Sequence, residues 1–203
     1  GMICDGFTTF YSRGGADDNL DTYLAENGIV GIAEIDTRKL VRHIRDKGAM
    51  NAVISSELFA GPELNQKLAE VPDMESLELA SQVMTTKPWK AGPEDGRRVA
   101  VLDFGIKLNI VRQLVEQDLN CLVLPGNSPM EEISAFEPDA YFLSNGPGDP
   151  ASLHEAVATI KTILSTGKPV FGICLGHQLL ARAFGLSTYK MKNGHRGLNH
   201  PVK

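Results

Sequence analysis

From residue 98 onward, short apolar runs alternate with segments that repeat apolar residues at helical spacing. The apolar runs are continuous rather than alternating, which is typical of strands buried on both faces of a parallel sheet. The sequence therefore predicts an α/β fold, a mostly parallel sheet with helices on both faces, whose chemistry gathers at the carboxyl ends of the strands. The predicted strands are 98–103, 121–124, 140–143 and 170–173, and the predicted helices are 107–117, 129–136 and 152–164.

The chain before this alternation forms a smaller predicted α/β block, residues 1–86. Asp36 is placed to cap a helix in which Leu40, Val41 and Ile44 recur at helical spacing. Residues 87–97 contain two prolines and two glycines, so we predict a linker there and a second domain over 98–203. The other elements predicted in the first block are helices at 17–27 and 62–70 and strands at 29–33 and 51–55.

Composition excludes several classes of function. The 203 residues are 42% apolar and 22% charged with a net charge of −5, which disfavours nucleic acid as the main partner. No apolar run is long enough to span a bilayer, so no membrane role is expected. The three cysteines show no pairing pattern, which favours a reducing, cytoplasmic setting, and no histidine–cysteine spacing indicates a metal site.

The segment 172–176, Gly-Ile-Cys-Leu-Gly, lies between a predicted strand and a helical pattern. A nucleophile between two glycines at such a junction has the spacing of a nucleophile elbow, here with Cys174 in place of serine. Side chains at the flanking positions would collide with the strand and the helix, and the helix N-terminus favours a thiolate. We therefore expect Cys174 to attack an acyl carbon. The alternative, a small buried thiol, fits Cys4 and Cys121 better.

A second loop at a strand end, residues 144–150, holds two glycines and two prolines in seven residues. Its bare backbone can approach a substrate closely, and the N–H groups of Gly146 and Gly148 can complete an oxyanion hole with that of Leu175. A plain tight turn is the alternative interpretation. The triplet at 103–105, Asp-Phe-Gly, matches a kinase motif without the other kinase elements, and we interpret it as the end of a strand.

No catalytic base can be assigned from the histidines. His177 follows Cys174 on the same helix and is too constrained to reach the attacking sulfur, so we expect a packing or hydrogen-bonding role. His154 begins a predicted helix, and His195 and His200 come with no convincing carboxylate two residues on.

These residues can now be compared with a known family. The run 171–179 around Cys174 resembles the nucleophile motif of class I, triad-type glutamine amidotransferases, which have a flavodoxin-like fold. Together with it, residues 142–150, 35–40 and 194–202 resemble the small, glutamine-hydrolysing subunit of carbamoyl phosphate synthase. The resemblance runs through nearly the whole chain.

The resemblance implies that Cys174 attacks the carboxamide of L-glutamine, forms a γ-glutamyl thioester and releases ammonia. Leu175 and Gly146 match oxyanion and substrate-backbone positions, and Gly148 and Gln178 match glutamine-binding positions. The ammonia would pass through a channel to a large subunit that makes carbamoyl phosphate for pyrimidines and arginine. ATP and Mg are expected only in that large subunit, so no cofactor is expected in this chain.

The sequence departs from the family pattern at its C-terminal end. The family's catalytic His-x-Glu element is not matched, because Pro201 and Val202 follow His200. An N-terminal glutamine-contacting serine is also not matched. We therefore expect a fragment lacking both ends of the subunit, which keeps an alkylatable Cys174 but hydrolyses glutamine poorly. Ammonia release from the purified chain tests this, and turnover near that of an intact amidotransferase would contradict it.

Three alternatives remain open at this stage. The chain can be another class I amidotransferase with a different acceptor, although the long first block disfavours this. It can be a non-catalytic scaffold whose cysteine is a relic. A redox-active cysteine on a flavodoxin-like domain is the weakest alternative, because the chain has no Cys-x-x-Cys pair.

Overall fold

The chain folds as two units, which we describe separately. A computed structural model describes residues 1–12, 14–16 and 18–194. One unit contains Gly1–Pro72 together with the described residues from Lys190 onward, and the other contains Asp73–Tyr189. The division falls between Pro72 and Asp73, so residues 73–86, which the sequence analysis assigned to the first block, belong to the second unit.

The second unit contains the candidate site predicted around Cys174, just after the last strand of its sheet. Among the described residues its sheet has the order β3-β5-β4-β6-β7. Strand β4 pairs in parallel with β5 on one side and β6 on the other, and β7 pairs in parallel with β6. The predicted α/β fold with a mostly parallel sheet is therefore confirmed. The strands are β3 (Trp89–Ala91), β4 (Arg97–Asp103), β5 (Leu119–Pro125), β6 (Ala140–Leu143) and β7 (Val170–Gly172).

Helices cover both faces of this sheet because alternate strand residues point in opposite directions. Ala100 and Leu102 belong to one buried cluster and Val99 and Val101 to another, so each face of β4 has its own core. The first cluster is completed by residues of α5 (Met130–Ala135), α6 (His154–Ser165) and α7 (Leu175–Ala183), and the second by residues of α4 (Leu108–Val115).

The predicted linker at 87–97 is wrong for residues 89–91. Trp89–Ala91 forms β3, which lies antiparallel to β5 with Trp89 opposite Val123. The strand covers the outer edge of β5, whose backbone groups would otherwise lack partners. Composition predicted a linker because Gly92 and two prolines lie nearby, but Gly92 serves a turn, with φ of 95° and the Leu119 carbonyl where a Cβ would be.

The first unit is built on shorter elements. Strands β1 (Met2–Ile3) and β2 (Gly31–Ile32) pair in parallel. Asp36 caps α2 as predicted, because its carboxylate accepts a hydrogen bond from the Lys39 N–H at 2.8 Å. The predicted strand at 51–55 is wrong, because no described strand lies beside it to share a ladder. The Asn51 side chain instead donates to the backbone carbonyls of Val71 and Pro72. The helices are α1 (Leu20–Glu26), α2 (Thr37–Lys47) and α3 (Gly61–Ala69).

No described helix is both long enough and apolar enough to cross a membrane.

Core burial gives a stability prediction with a matched control. Leu102 is fully buried in β4, whereas Leu108 at the start of α4 is 56% exposed. We expect Leu102→Ala to lower the free energy of unfolding by about 2–5 kcal/mol and Leu108→Ala to change it by less than about 0.5 kcal/mol. Urea unfolding followed by the fluorescence of Trp89, the single tryptophan, measures both. Equal effects of the two substitutions would contradict this assignment of the core.

Candidate active site

Cys174 lies at a strained bend between β7 and α7. Its backbone has φ of 52° and ψ of −110°, a conformation that costs a non-glycine residue about 1–3 kcal/mol. The residue immediately precedes the first residue of α7, and it is exposed to solvent. A strained, exposed cysteine at a strand-to-helix bend is the geometry of a nucleophile elbow. We call residues 172–176 the elbow.

The two glycines of the elbow allow this bend because the backbone is crowded on both sides. A Cβ added to Gly176 would overlap the carbonyl oxygen of Leu143 on β6. A Cβ added to Gly172 would lie 2.7 Å from the carbonyl carbon of Gly176. Both positions therefore exclude any larger residue, which is the reason that the sequence analysis gave for the glycine spacing.

Hydrogen bonds hold the elbow against the end of β6. The N–H of Ile173 donates to the carbonyl of Leu143 and the N–H of Gly176 to the carbonyl of Ser144, both at 3.0 Å. Ser144 begins the loop of residues 144–150, which we call the glycine–proline loop. The two segments that the sequence predicted to form one site therefore lie side by side.

Three backbone N–H groups of the elbow and the glycine–proline loop have no hydrogen-bond acceptor among the described residues. A Cβ added to Gly146 would lie 2.8 Å from Cδ2 of Leu175, so the two residues are neighbours. Within the described residues, the N–H groups of Gly146, Gly148 and Leu175 donate no hydrogen bond. Leu175 is the first residue of α7, where an N–H has no intrahelical acceptor. These groups are free to stabilise a negative oxygen beside Cys174.

The other two predicted binding residues lie at the edges of this arrangement. Gly148 has φ of 93°, and the carbonyl of Leu77 occupies the space that a Cβ would need. Gln178 is exposed on the first turn of α7, and its N–H donates to the carbonyl of Cys174 at 3.1 Å. The structure thus groups Cys174, Leu175 and Gly146 closely.

Sequence reasoning missed the segment that supports the glycine–proline loop. The Asp149 carboxylate accepts hydrogen bonds from the N–H groups of Ser76 at 2.8 Å and Ala151 at 2.9 Å. The Asp149 N–H donates to the carbonyl of Leu77 at 3.0 Å. Ser76 itself has φ of 62°. The contacts of Asp149 with Ser76 and Leu77 join residues more than seventy positions apart, and no local pattern signals them.

No general base for Cys174 can be assigned among the described histidines. His154 is the first residue of α6 and is exposed. His177 is also exposed, and it lies on α7, the helix that begins at the elbow. His195 and His200 lie outside the described residues. The described part of the chain also has no group of three side chains suited to a metal ion.

The other cysteines differ from Cys174 in exposure. Cys121 is fully buried in β5, and burial raises the pKa of its thiol to about 11. Cys4 is half-buried beside β2, and its thiol donates to the carbonyl of Ile32 at 3.8 Å. Only the Cys174 thiol, among the three, combines solvent exposure with a helix N-terminus.

Comparison with known proteins gives two family matches. Residues 100–203, just over half of the chain, match the family model described as glutamine amidotransferase class-I. Residues 1–54 match the model described as carbamoyl-phosphate synthase small chain, CPSase domain.

Individual relatives agree with the family matches. Proteins named carbamoyl phosphate synthase small chain from Synechococcus sp., Chlorobaculum tepidum and Vibrio vulnificus are 44%, 45% and 43% identical to this chain. The matches cover 99%, 100% and 100% of this chain and 55%, 56% and 58% of the relatives. The chain therefore spans little more than half the length of these curated relatives.

Thiol exposure predicts selective alkylation. In the folded chain at pH 8 we expect iodoacetamide to modify Cys174 and to leave Cys121 unmodified, because burial both shields the Cys121 sulfur and keeps it protonated. In urea both should react. Peptide mapping by mass spectrometry measures each site, and modification of Cys121 at the rate of Cys174 in the folded chain would contradict the described packing.

Proposed function

The chain belongs to the class I glutamine amidotransferase family, and we propose on that premise that Cys174 is the nucleophile of a glutaminase reaction. The observation that carries the proposal is the strained, exposed cysteine at the start of α7 beside unpaired backbone N–H groups. A buried structural cysteine does not require a strained backbone conformation, and such a conformation persists only where the surrounding packing offsets its free-energy cost.

The first half of the proposed reaction forms a thioester. The Cys174 sulfur adds to the side-chain carboxamide carbon of L-glutamine, and the carbonyl oxygen becomes an oxyanion. The N–H groups of Leu175 and Gly146 donate to this oxygen, and their fixed positions let them stabilise charge without reorganisation. The carbon–nitrogen bond then breaks, the nitrogen takes up the proton that the thiol has lost, and ammonia leaves a γ-glutamyl thioester.

The second half regenerates the thiol. Water adds to the thioester carbon, the carbon–sulfur bond breaks, and glutamate leaves. Glutamine and water are thereby converted to glutamate and ammonia, and the enzyme is unchanged. In this proposal Gly148 and Gln178 hold the substrate, Gly148 through backbone that approaches closely because it carries no side chain. The chemistry uses the thiol, backbone amides and water, so we propose no cofactor for this chain.

We further propose that the ammonia feeds carbamoyl phosphate synthesis by an ATP-dependent large subunit in the cytoplasm, for pyrimidines and arginine. The names of the relatives and the match at residues 1–54 support this assignment over other amidotransferases.

Labelling by a glutamine-analogue electrophile tests the nucleophile. We expect 6-diazo-5-oxo-L-norleucine to modify Cys174 selectively, because the reagent presents its electrophilic carbon where the glutamine carboxamide would lie. L-glutamine should slow the labelling and D-glutamine should not. Mass spectrometry of the labelled peptide gives the site and the rate.

Two cysteine variants provide the controls. Cys174→Ala should abolish labelling, whereas Cys4→Ala, the same chemical change at a residue of the other unit, should leave it unchanged. A wild-type chain that reacts with iodoacetamide at Cys174 but not with the glutamine analogue would indicate a non-catalytic scaffold instead. Labelling that persists in Cys174→Ala would place the nucleophile elsewhere.

A further inference from the structure

The turn that follows β4, residues 103–107, contacts the glycine–proline loop but takes no part in either half of the proposed reaction. We propose that Asn145 is a positioning residue, which ties this turn to the glycine–proline loop and so fixes the direction of the Gly146 N–H. The inference rests on the proposed function, because it assigns a role in oxyanion stabilisation. It also gives a use to the Asp-Phe-Gly triplet at 103–105, which the sequence analysis interpreted only as a strand end.

The side chain of Asn145 bridges two backbone groups of the turn. Its Nδ2 donates to the carbonyl of Gly105 at 2.9 Å, and its Oδ1 accepts from the N–H of Lys107 at 3.1 Å. One donor and one acceptor at the same distance from the backbone are what an asparagine amide supplies. Aspartate would keep the acceptor but turn a negative oxygen toward the Gly105 carbonyl.

The turn that Asn145 grips is itself held rigidly. Asp103 is 4% exposed, and its Oδ1 accepts from the N–H groups of Gly105 and Ile106, both at 2.7 Å. Its Oδ2 accepts from the N–H of Thr85 at 2.8 Å. A buried carboxylate with three backbone donors is satisfied on both oxygens and fixes the local conformation. Asn145 is therefore hydrogen-bonded to a turn whose conformation is fixed by Asp103.

Contacts of Phe104 connect the turn at 103–107 to Gly146. The Phe104 N–H donates to Oγ of Ser144 at 2.8 Å, and this hydroxyl donates to the Asn145 carbonyl at 2.7 Å. The Phe104 carbonyl occupies the space that a Cβ on Gly146 would need. The peptide group that joins Asn145 to Gly146 is therefore held from its carbonyl side and through the Asn145 side chain. Its N–H remains free for an oxyanion.

Comparing two reagents on the same thiol tests the proposal. 6-Diazo-5-oxo-L-norleucine needs glutamine recognition and a placed oxyanion donor, whereas iodoacetamide needs only an accessible Cys174 thiolate. We expect Asn145→Ala to slow labelling by the glutamine analogue about ten- to a hundredfold and to leave iodoacetamide alkylation within about twofold. Asn109→Ala makes the same change at an exposed position on α4 and should alter neither rate.

A nearly isosteric second variant guards against misfolding. Asn145→Asp should slow the analogue as Asn145→Ala does, because it loses the donor to Gly105. Equal slowing of both reagents in both variants would indicate a merely structural residue and overturn the proposal. Unchanged analogue labelling would also overturn it, while leaving the proposed function standing. A wild-type chain that the analogue does not label would instead refute the proposed function, and the inference with it.

Discussion

The close approach of α7 to β6 is the constraint on which the rest of the site depends. Helix and strand normally keep the distance that their side chains require, but here the backbone of Gly176 lies against the carbonyl of Leu143. At that distance the chain can bend from β7 into α7 over two residues, Ile173 and Cys174. Cys174 lies at this bend with positive φ and is exposed to solvent.

The same constraint places the polar groups of the site. Because α7 begins so close to β6, its first N–H groups meet the loop that leaves that strand, and Gly176 bonds to the Ser144 carbonyl. Loop and elbow are thus positioned by one another and by strands that are hydrogen-bonded in register. Sites built in this way on regular elements hold their geometry more tightly than sites on free loops.

Much of the second unit could be predicted because its signals are local. Continuous apolar strands and helical spacing located β4 to β7 and α4 to α6 to within a few residues, and indicated a helix after the elbow, where α7 lies. The spacing of Gly172, Cys174 and Gly176 predicted the elbow because this spacing at a strand-to-helix junction is a local motif. The crowding at Gly172 is local as well, whereas the Leu143 carbonyl that crowds Gly176 lies on β6, far away in sequence. The oxyanion role of Gly146, Gly148 and Leu175 was inferred from loop and helix position, and the glutamine-binding role of Gly148 and Gln178 from family resemblance. These roles remain predictions.

What could not be predicted depends on distant contacts. Trp89–Ala91 becomes a strand only because β5 offers it an edge, and residues 51–55 fail to become one because they lack such a neighbour. The support that Ser76 and Leu77 give to the glycine–proline loop likewise joins segments far apart in sequence. Composition and periodicity describe a residue's tendencies, whereas these features depend on its partners.

The crowding around the elbow glycines also has a genetic consequence. Every single-nucleotide missense change in a glycine codon introduces a residue with at least a Cβ atom. At Gly172 and Gly176 that atom would enter space already filled by backbone. Among single-nucleotide changes in either codon, only the synonymous ones therefore leave this backbone packing undisturbed. A lineage that retains this bend has to purge such changes as they arise, while the exposed surface around it is free to diverge.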